Sequence, residues 1–282
     1  MKGKHALFHI GIPKSGTTSV QSTLNNDDRL LITRSRYFTS KDWWIDEYPE
    51  YPSDKIVMES NETLVSGGFR KVKFIEVLKR MHHVNPQAKI LLTIRRQESA
   101  LLSMYKYHIK FGHKGVKSLS HWAEETDLGI DYLSICMYES VIRAILVYFP
   151  KDQVHVMPFE WLVDDPHAFY EHLYEIIGIP FRESVMQKQA LNVMRFDDRE
   201  LYSLVKLSAI SFRKDSFLHT LDMKFKRKLS TLFKMKPPEG FFEINSLAGY
   251  ENIKEEFENS NRYIVDNGFV SEEMMTKFGY NY

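Results

Sequence analysis

The chain reads as an α/β protein, a doubly wound, mainly parallel sheet flanked by helices, with a mainly helical C-terminal part. Three observations predict this. Short apolar runs of strand length alternate with amphipathic stretches of helical length as far as about residue 180. Runs such as "ALFHIGI" and "KILLTI" are apolar almost without interruption, as strands covered on both faces are. From about Asn192 onward only helical patterns and loops follow. With 282 residues, one large domain with a helical extension is the natural organisation. We place the core at 1–200 and the extension, packed on the same domain, at 201–282.

The elements follow in order. Strands are expected at His5 to Gly11, Lys55 to Glu59, Lys89 to Ile94 and Gln153 to Phe159. An aromatic loop with Trp43, Trp44, Tyr48 and Tyr51 lies between the first two. A helix is predicted over Phe69 to His83, where Phe69, Val72, Ile75, Leu78 and His82 recur at three and four residues. Asn85-Pro86 stops it. Tyr132 to Tyr148 reads as one mostly buried helix ending before Pro150. Asp165-Pro166 opens another, with proline in its first turn, and Gly178 closes it.

Composition narrows the function. The 38 Lys and Arg against 37 Asp and Glu leave a net charge of +1, which excludes blanket attraction to nucleic acid and makes any anion site local. No nucleic-acid partner is expected. The single cysteine, Cys136, permits neither a disulfide framework nor a Cys-based zinc site, and suits a reducing compartment. No run approaches the ~20 apolar residues of a membrane span. A cytoplasmic protein is expected.

The most informative stretch is "HIGIPKSGTTSVQSTL". A buried strand ends at Gly11; Pro13, Lys14, Ser15, Gly16, Thr17 and Thr18 form a small-residue loop, and a helix follows with Val20 and Leu24 on one face. Backbone N–H groups and the positive end of a helix dipole then converge on one spot, which is a phosphate cradle of P-loop type. Against G-x-x-x-x-G-K-[ST], Gly11, Gly16 and Thr18 fit, but Thr17 occupies the lysine position and Lys14 precedes the second glycine. A second anion-binding pattern comes after "KILLTI". Arg95 stands at the strand's carboxyl end, where open α/β sheets bind ligands, and Ser103 lies eight residues on, about two turns into the next helix.

Pro-Lys-Ser-Gly-Thr-Thr after a first buried strand resembles the 5′-phosphosulfate loop of the sulfotransferases that use 3′-phosphoadenosine 5′-phosphosulfate (PAPS). The strand-end Arg95, with Ser103 and Tyr105, resembles their 3′-phosphate site. The stretch "QVHVMPFEWLVDDPHAFYEHLYEIIGIP" also resembles that family and is assigned structural work, with Glu160 bracing a strand end and Phe169, Leu173 and Ile176 packing inward. The likeness covers about residues 5 to 200. In "LNVMRF", Met194 stands where bacterial members carry a serine two residues after Asn192.

The resemblance implies PAPS as sulfuryl donor, bound through Pro13, Lys14, Ser15, Gly16, Thr17, Thr18, Arg95 and Ser103, with no metal expected. It further implies an in-line displacement in which Lys14 supplies positive charge and a carboxylate takes the acceptor's proton. Ser60-Asn61-Glu62 is similar to the Ser-Ser-Glu of some bacterial members, which favours Glu62 as base, with Glu59 the other candidate. His9, inside the first strand, reads as a satisfied core histidine, and His108 as a surface or acceptor-side residue. The likeness is nearer to carbohydrate-type and bacterial members, so the acceptor implied is a hydroxyl, or an amine, of a carbohydrate or glycolipid.

From Arg213 to Lys236 eight Lys or Arg face two Asp, with Phe225, Leu229, Leu232 and Phe233 between them. This is either a solvated amphipathic helix or a peripheral contact with a membrane surface or anionic glycan. Two other functions use the same loop. An ATP-dependent small-molecule kinase would need Mg²⁺, and Thr17 in the lysine position argues against it. A non-catalytic nucleotide- or glycan-binding protein would bind without turnover.

Overall fold

The structure, a computed structural model, describes residues 5–35, 37–41, 48–66, 72–111, 117–186, 196–208 and 225–282. Five parallel strands form its sheet: β1 (His5–Gly11), β2 (Leu30–Thr33), β3 (Ile56–Ser60), β4 (Lys89–Ile94) and β5 (Val154–Pro158), in the order β2-β3-β1-β4-β5. The connection leaving β1 runs to one side of the sheet and that leaving β4 to the other. Such a divergence opens a crevice at the carboxyl ends of the two strands. The four expected strands are all present. β2 adds a short edge strand that the sequence pattern did not declare, paired in register so that Thr33 lies beside Glu59.

One face of the sheet carries Leu7, Met58, Leu91 and Met157. It is covered by α1 (Thr17–Leu24) through Val20 and Leu24, and by α8 (Pro166–Ile177) through Phe169 and Leu173. Each of these large side chains is fully buried, worth roughly 1.5–3 kcal/mol apiece. The ends of α8 are set as the sequence predicts. Asp165 Oδ1 accepts from Ala168 N at 3.0 Å, Pro166 occupies the first turn, and Gly178 ends the helix at φ 90°.

Two helices differ from expectation. Of the helix predicted from Phe69, the start at 69–71 lies outside the described residues; residues 72 and 73 are not helical, α2 runs Phe74–Val84, and it ends at Asn85 as predicted. The single helix expected over Tyr132 to Tyr148 is two, α5 (Asp127–Ile135) and α6 (Tyr138–Leu146). The amide of Glu139 in the first turn of α6 donates to Ser260 Oγ at 2.9 Å, so a distant residue caps the second segment.

The chain divides into two compact units, one of residues 1–96, 135–192 and 256–282, the other of 97–134 and 193–255. The first contains the sheet, α1, α2, α6, α7 (Phe159–Asp164), α8 and α12 (Glu272–Lys277). The second is helical where described, with α3 (Gln97–Phe111), α4 (Leu119–Glu125), α5, α9 (Asp198–Ser208) and α10 (225–232). Its interior gathers Tyr105, Trp122 and Phe242, with Trp122 Nε1 donating to His108 Nδ1 at 2.7 Å. His108 is thus a buried acceptor, and the surface role expected for it is corrected. α11 (Tyr250–Asp266) is divided between the units. No helix among the described residues is long and apolar enough to cross a membrane.

Candidate active site

The loop after β1 is tight. Ser15 N donates to Ile12 O at 2.9 Å, and Lys14 holds φ 75°, the one positive-φ non-glycine residue among those described. Backbone strain of this kind costs about 1–3 kcal/mol and persists where surrounding contacts impose it. Gly16 follows at φ 81° and heads α1, whose first turn no side chain caps. A Cβ on Gly16 would lie 2.6 Å from Phe159 Cδ2, and one on Gly11 would lie 2.1 Å from Thr17 Oγ1. A side chain at either position would have to displace these neighbours, and at Gly16 it would also meet the left-handed backbone.

Beneath the loop lies a buried polar chain. His9 Nδ1 meets Ser60 Oγ at 2.8 Å and His9 Nε2 meets Thr93 Oγ1 at 3.1 Å; Thr93 Oγ1 also bonds Ser15 Oγ at 2.8 Å. Burial pushes His9 down to about 3, so the ring is neutral, in agreement with its reading as a satisfied core histidine. Thr93 was not singled out from sequence. Its signal was a polar residue at the carboxyl end of an otherwise apolar strand.

Arg95 joins the loop from the other side of the crevice. Its Nη1 donates to Lys14 O at 3.0 Å, its guanidinium stands 4.9 Å from the centre of the Phe159 ring, and Ile12 N donates to Thr93 O at 3.1 Å. The strand-end arginine and the loop lysine thus belong to one structure. Two buried polar atoms here, Thr17 Oγ1 and Arg95 Nε, have no hydrogen-bond partner among the described residues. A hydroxyl and a guanidinium N–H left unmatched beside an uncapped helix start suit an oxyanion-rich group such as a phosphate. Thr18 is exposed at the first turn of α1, and Pro13 and Lys14 are half-buried. Ser103 is half-buried on α3, in the second unit.

The two carboxylate candidates occupy different environments. Glu59 is fully buried. Its Oε2 accepts from Thr33 Oγ1 at 2.5 Å and Ser35 N at 3.2 Å, its Oε1 from Asn61 Nδ2 at 3.4 Å, and His5 Nε2 stands 3.8 Å away. Desolvation pushes its carboxyl up to about 7, against the pull of those bonds. Because it pairs with Phe8 across the sheet, it lies on the face opposite His9 and Ser60. Glu62 is exposed, in a turn anchored by Asn61, whose N donates to His9 O at 3.2 Å and whose Oδ1 accepts from Thr63 N at 2.9 Å. Trp43, Trp44 and Asn192 lie outside the described residues, as do residues 213–224 of the basic stretch. No group of three or more His, Cys, Asp or Glu among the described residues is arranged to hold a metal.

A family model described as "Sulfotransferase domain" matches residues 4–228. Among solved structures, the sulfotransferase from Alicyclobacillus acidocaldarius aligns with a TM-score of 0.51 at 16% identity, covering 83% of this chain and 98% of that one. The sulfotransferase domain from the curacin biosynthetic pathway aligns at 0.46 and 11% identity, covering 84% and 100%. Mouse sulfotransferase SULT7A1 complexed with PAP aligns at 0.39 and 12% identity, covering 75% and 67%. No curated protein sequence matches the chain. The likeness to the Alicyclobacillus structure is one of fold.

Proposed function

The chain belongs to the sulfotransferase domain family and is a sulfotransferase with PAPS as donor; we propose that its acceptor is a hydroxyl, or an amine, of a carbohydrate or glycolipid. The single observation that carries the site assignment is the crosstie between Arg95 and the Lys14 carbonyl, with Thr17 Oγ1 and Arg95 Nε left unmatched beside it. PAPS contributes an activated sulfuryl group on a phosphate leaving group.

The chain's own residues are assigned as follows. Pro13 and Gly16 shape the loop, and the hydroxyls of Ser15, Thr17 and Thr18 and the amides at the start of α1 orient phosphate oxygens. Ser15 does this while tied to Thr93. Lys14 places positive charge where the leaving phosphate and sulfuryl oxygens gain negative charge. Arg95 takes the 3′-phosphate, and Ser103 keeps the part in that contact which the resemblance implies. Glu62 takes the acceptor's proton. Its exposure favours it over Glu59, whose carboxylate is enclosed and already holds three hydrogen bonds. The location proposed is the cytoplasm.

The test is sulfuryl transfer from labelled PAPS to a panel of glycans, glycolipids and small phenols. Transfer to the sugars, with Glu62→Gln lowering kcat by ~10²–10⁴-fold at unchanged affinity for 3′-phosphoadenosine 5′-phosphate (PAP), is the expected result. Transfer to phenols alone would refute the acceptor class. Unaltered kcat in Glu62→Gln would remove that residue from the chemistry.

A further inference from the structure

Arg95 and Arg96 connect β4 to α3; their backbone is held by the side chains of Tyr138 and Glu160, and Glu160 is held in turn by Tyr280. The Tyr138 hydroxyl accepts from Arg95 N at 3.3 Å and donates to Arg95 O. Glu160 Oε1 accepts from Arg96 N at 3.0 Å, and Tyr280 Oη donates to Glu160 Oε2 at 2.8 Å. Both phenols are buried, and their titration is displaced well above the ordinary tyrosine value by that burial, so each remains a neutral donor. Two further contacts seat the C-terminal stretch. Lys277 Nζ pairs with Asp164 Oδ2 at 2.7 Å at the end of α7, and a Cβ on Gly279 would stand 3.4 Å from Arg96 Nη1.

These contacts converge on the residue whose direction matters. Phe159, next to Glu160, underlies the Arg95 guanidinium and fills the space that a Cβ on Gly16 would need. The residue pair 159–160 therefore fixes the side chain of Arg95 from below and the backbone of Arg96 from beside it. An arginine fork recognises phosphate by the direction of its N–H groups, and a backbone locked on both sides reduces the conformational freedom lost on binding.

We propose that Tyr280, acting through Glu160, and Tyr138 are positioning residues that set the Arg95 fork for the ligand's 3′-phosphate. The C-terminal residues thereby become part of the nucleotide site without touching the nucleotide. The proposal rests on the assignment of Arg95 to the 3′-phosphate.

The experiment measures the affinities of wild type, Tyr280→Phe and Glu160→Gln for PAP and for adenosine 5′-phosphate, which lacks the 3′-phosphate. Tyr280→Phe loses one hydrogen bond to a charged group, so PAP affinity should fall about tenfold while adenosine 5′-phosphate affinity stays within twofold. Glu160→Gln should act in the same direction. Loss of folding would lower both affinities together, so the ratio separates positioning from general damage. A wild type that prefers PAP, with the ratio unchanged in both variants, would overturn the positioning role alone. A wild type indifferent to the 3′-phosphate would overturn the assignment of Arg95 and this proposal with it.

Discussion

Gly16 meets two demands at one position, a left-handed backbone and the Phe159 ring 2.6 Å from where a Cβ would stand. Gly16→Ala should lose about 1–3 kcal/mol of stability and weaken PAP binding, because the displaced ring is also the one beneath Arg95. Thermal unfolding with and without PAP measures both effects, and an alanine variant matching wild type in both would contradict the packing described. Glu59 makes a prediction in pH. Its folded value of about 7 lies above the ordinary 4.5, so between the two the folded chain keeps a proton that the unfolded chain has lost. Its contribution to stability therefore falls as pH rises through that window, by about 3 kcal/mol in all. His5 and His9, lowered by burial to about 4 and about 3, act in the opposite sense below their ordinary 6.5. The difference between wild type and Glu59→Gln isolates the carboxyl. The variant should gain stability relative to wild type from about pH 4.5 to about pH 7 and level off above it, and a constant difference would count against the buried environment.

At the scale of elements, the sequence revealed those whose signals are local. β1, β4 and β5 are near-continuous apolar runs, and α8 has its own start and stop residues in Asp165, Pro166 and Gly178. β2 escaped because four residues at a sheet edge give too short a run to register. The break between α5 and α6 escaped because its cap, Ser260, is 121 residues away and no proline or glycine marks it. On α10, Phe225, Leu229 and Leu232 fall on one stripe while Lys226 and Ser230 are buried on the other side. Phe225, Leu232 and Phe233 are 62%, 67% and 63% exposed, and Lys228 and Lys236 stand exposed in the same segment. Large apolar side chains beside cations favour an anionic lipid surface over an anionic glycan, which would leave the apolar groups in water. The protein should co-sediment with phosphatidylserine-containing vesicles, and Leu232→Ser with Phe233→Ser should weaken this several-fold while sparing PAP affinity. Equal sedimentation of the two proteins would exclude this segment as the contact.

Across the whole molecule, the strand order brings distant sequence motifs together. Because β1 and β4 are neighbours, the loop holding Lys14 and the strand end holding Arg95, 81 residues apart, share a hydrogen bond. Both positions were legible because open parallel sheets bind ligands at strand ends, and each of these two ends carries a cation in a marked local pattern. What surrounds them was not legible. Thr93, Phe159, Tyr138 and Tyr280 are ordinary side chains in a linear sequence, and only the fold places them around the two cations. Calorimetric titration tests the central claim most directly, with PAP and, separately, ATP with Mg²⁺, on wild type and Arg95→Ala. The account predicts that PAP binds without metal and that Arg95→Ala weakens it by about 10- to 100-fold. Binding of ATP with Mg²⁺ in preference to PAP, or a PAP affinity indifferent to Arg95, would contradict it.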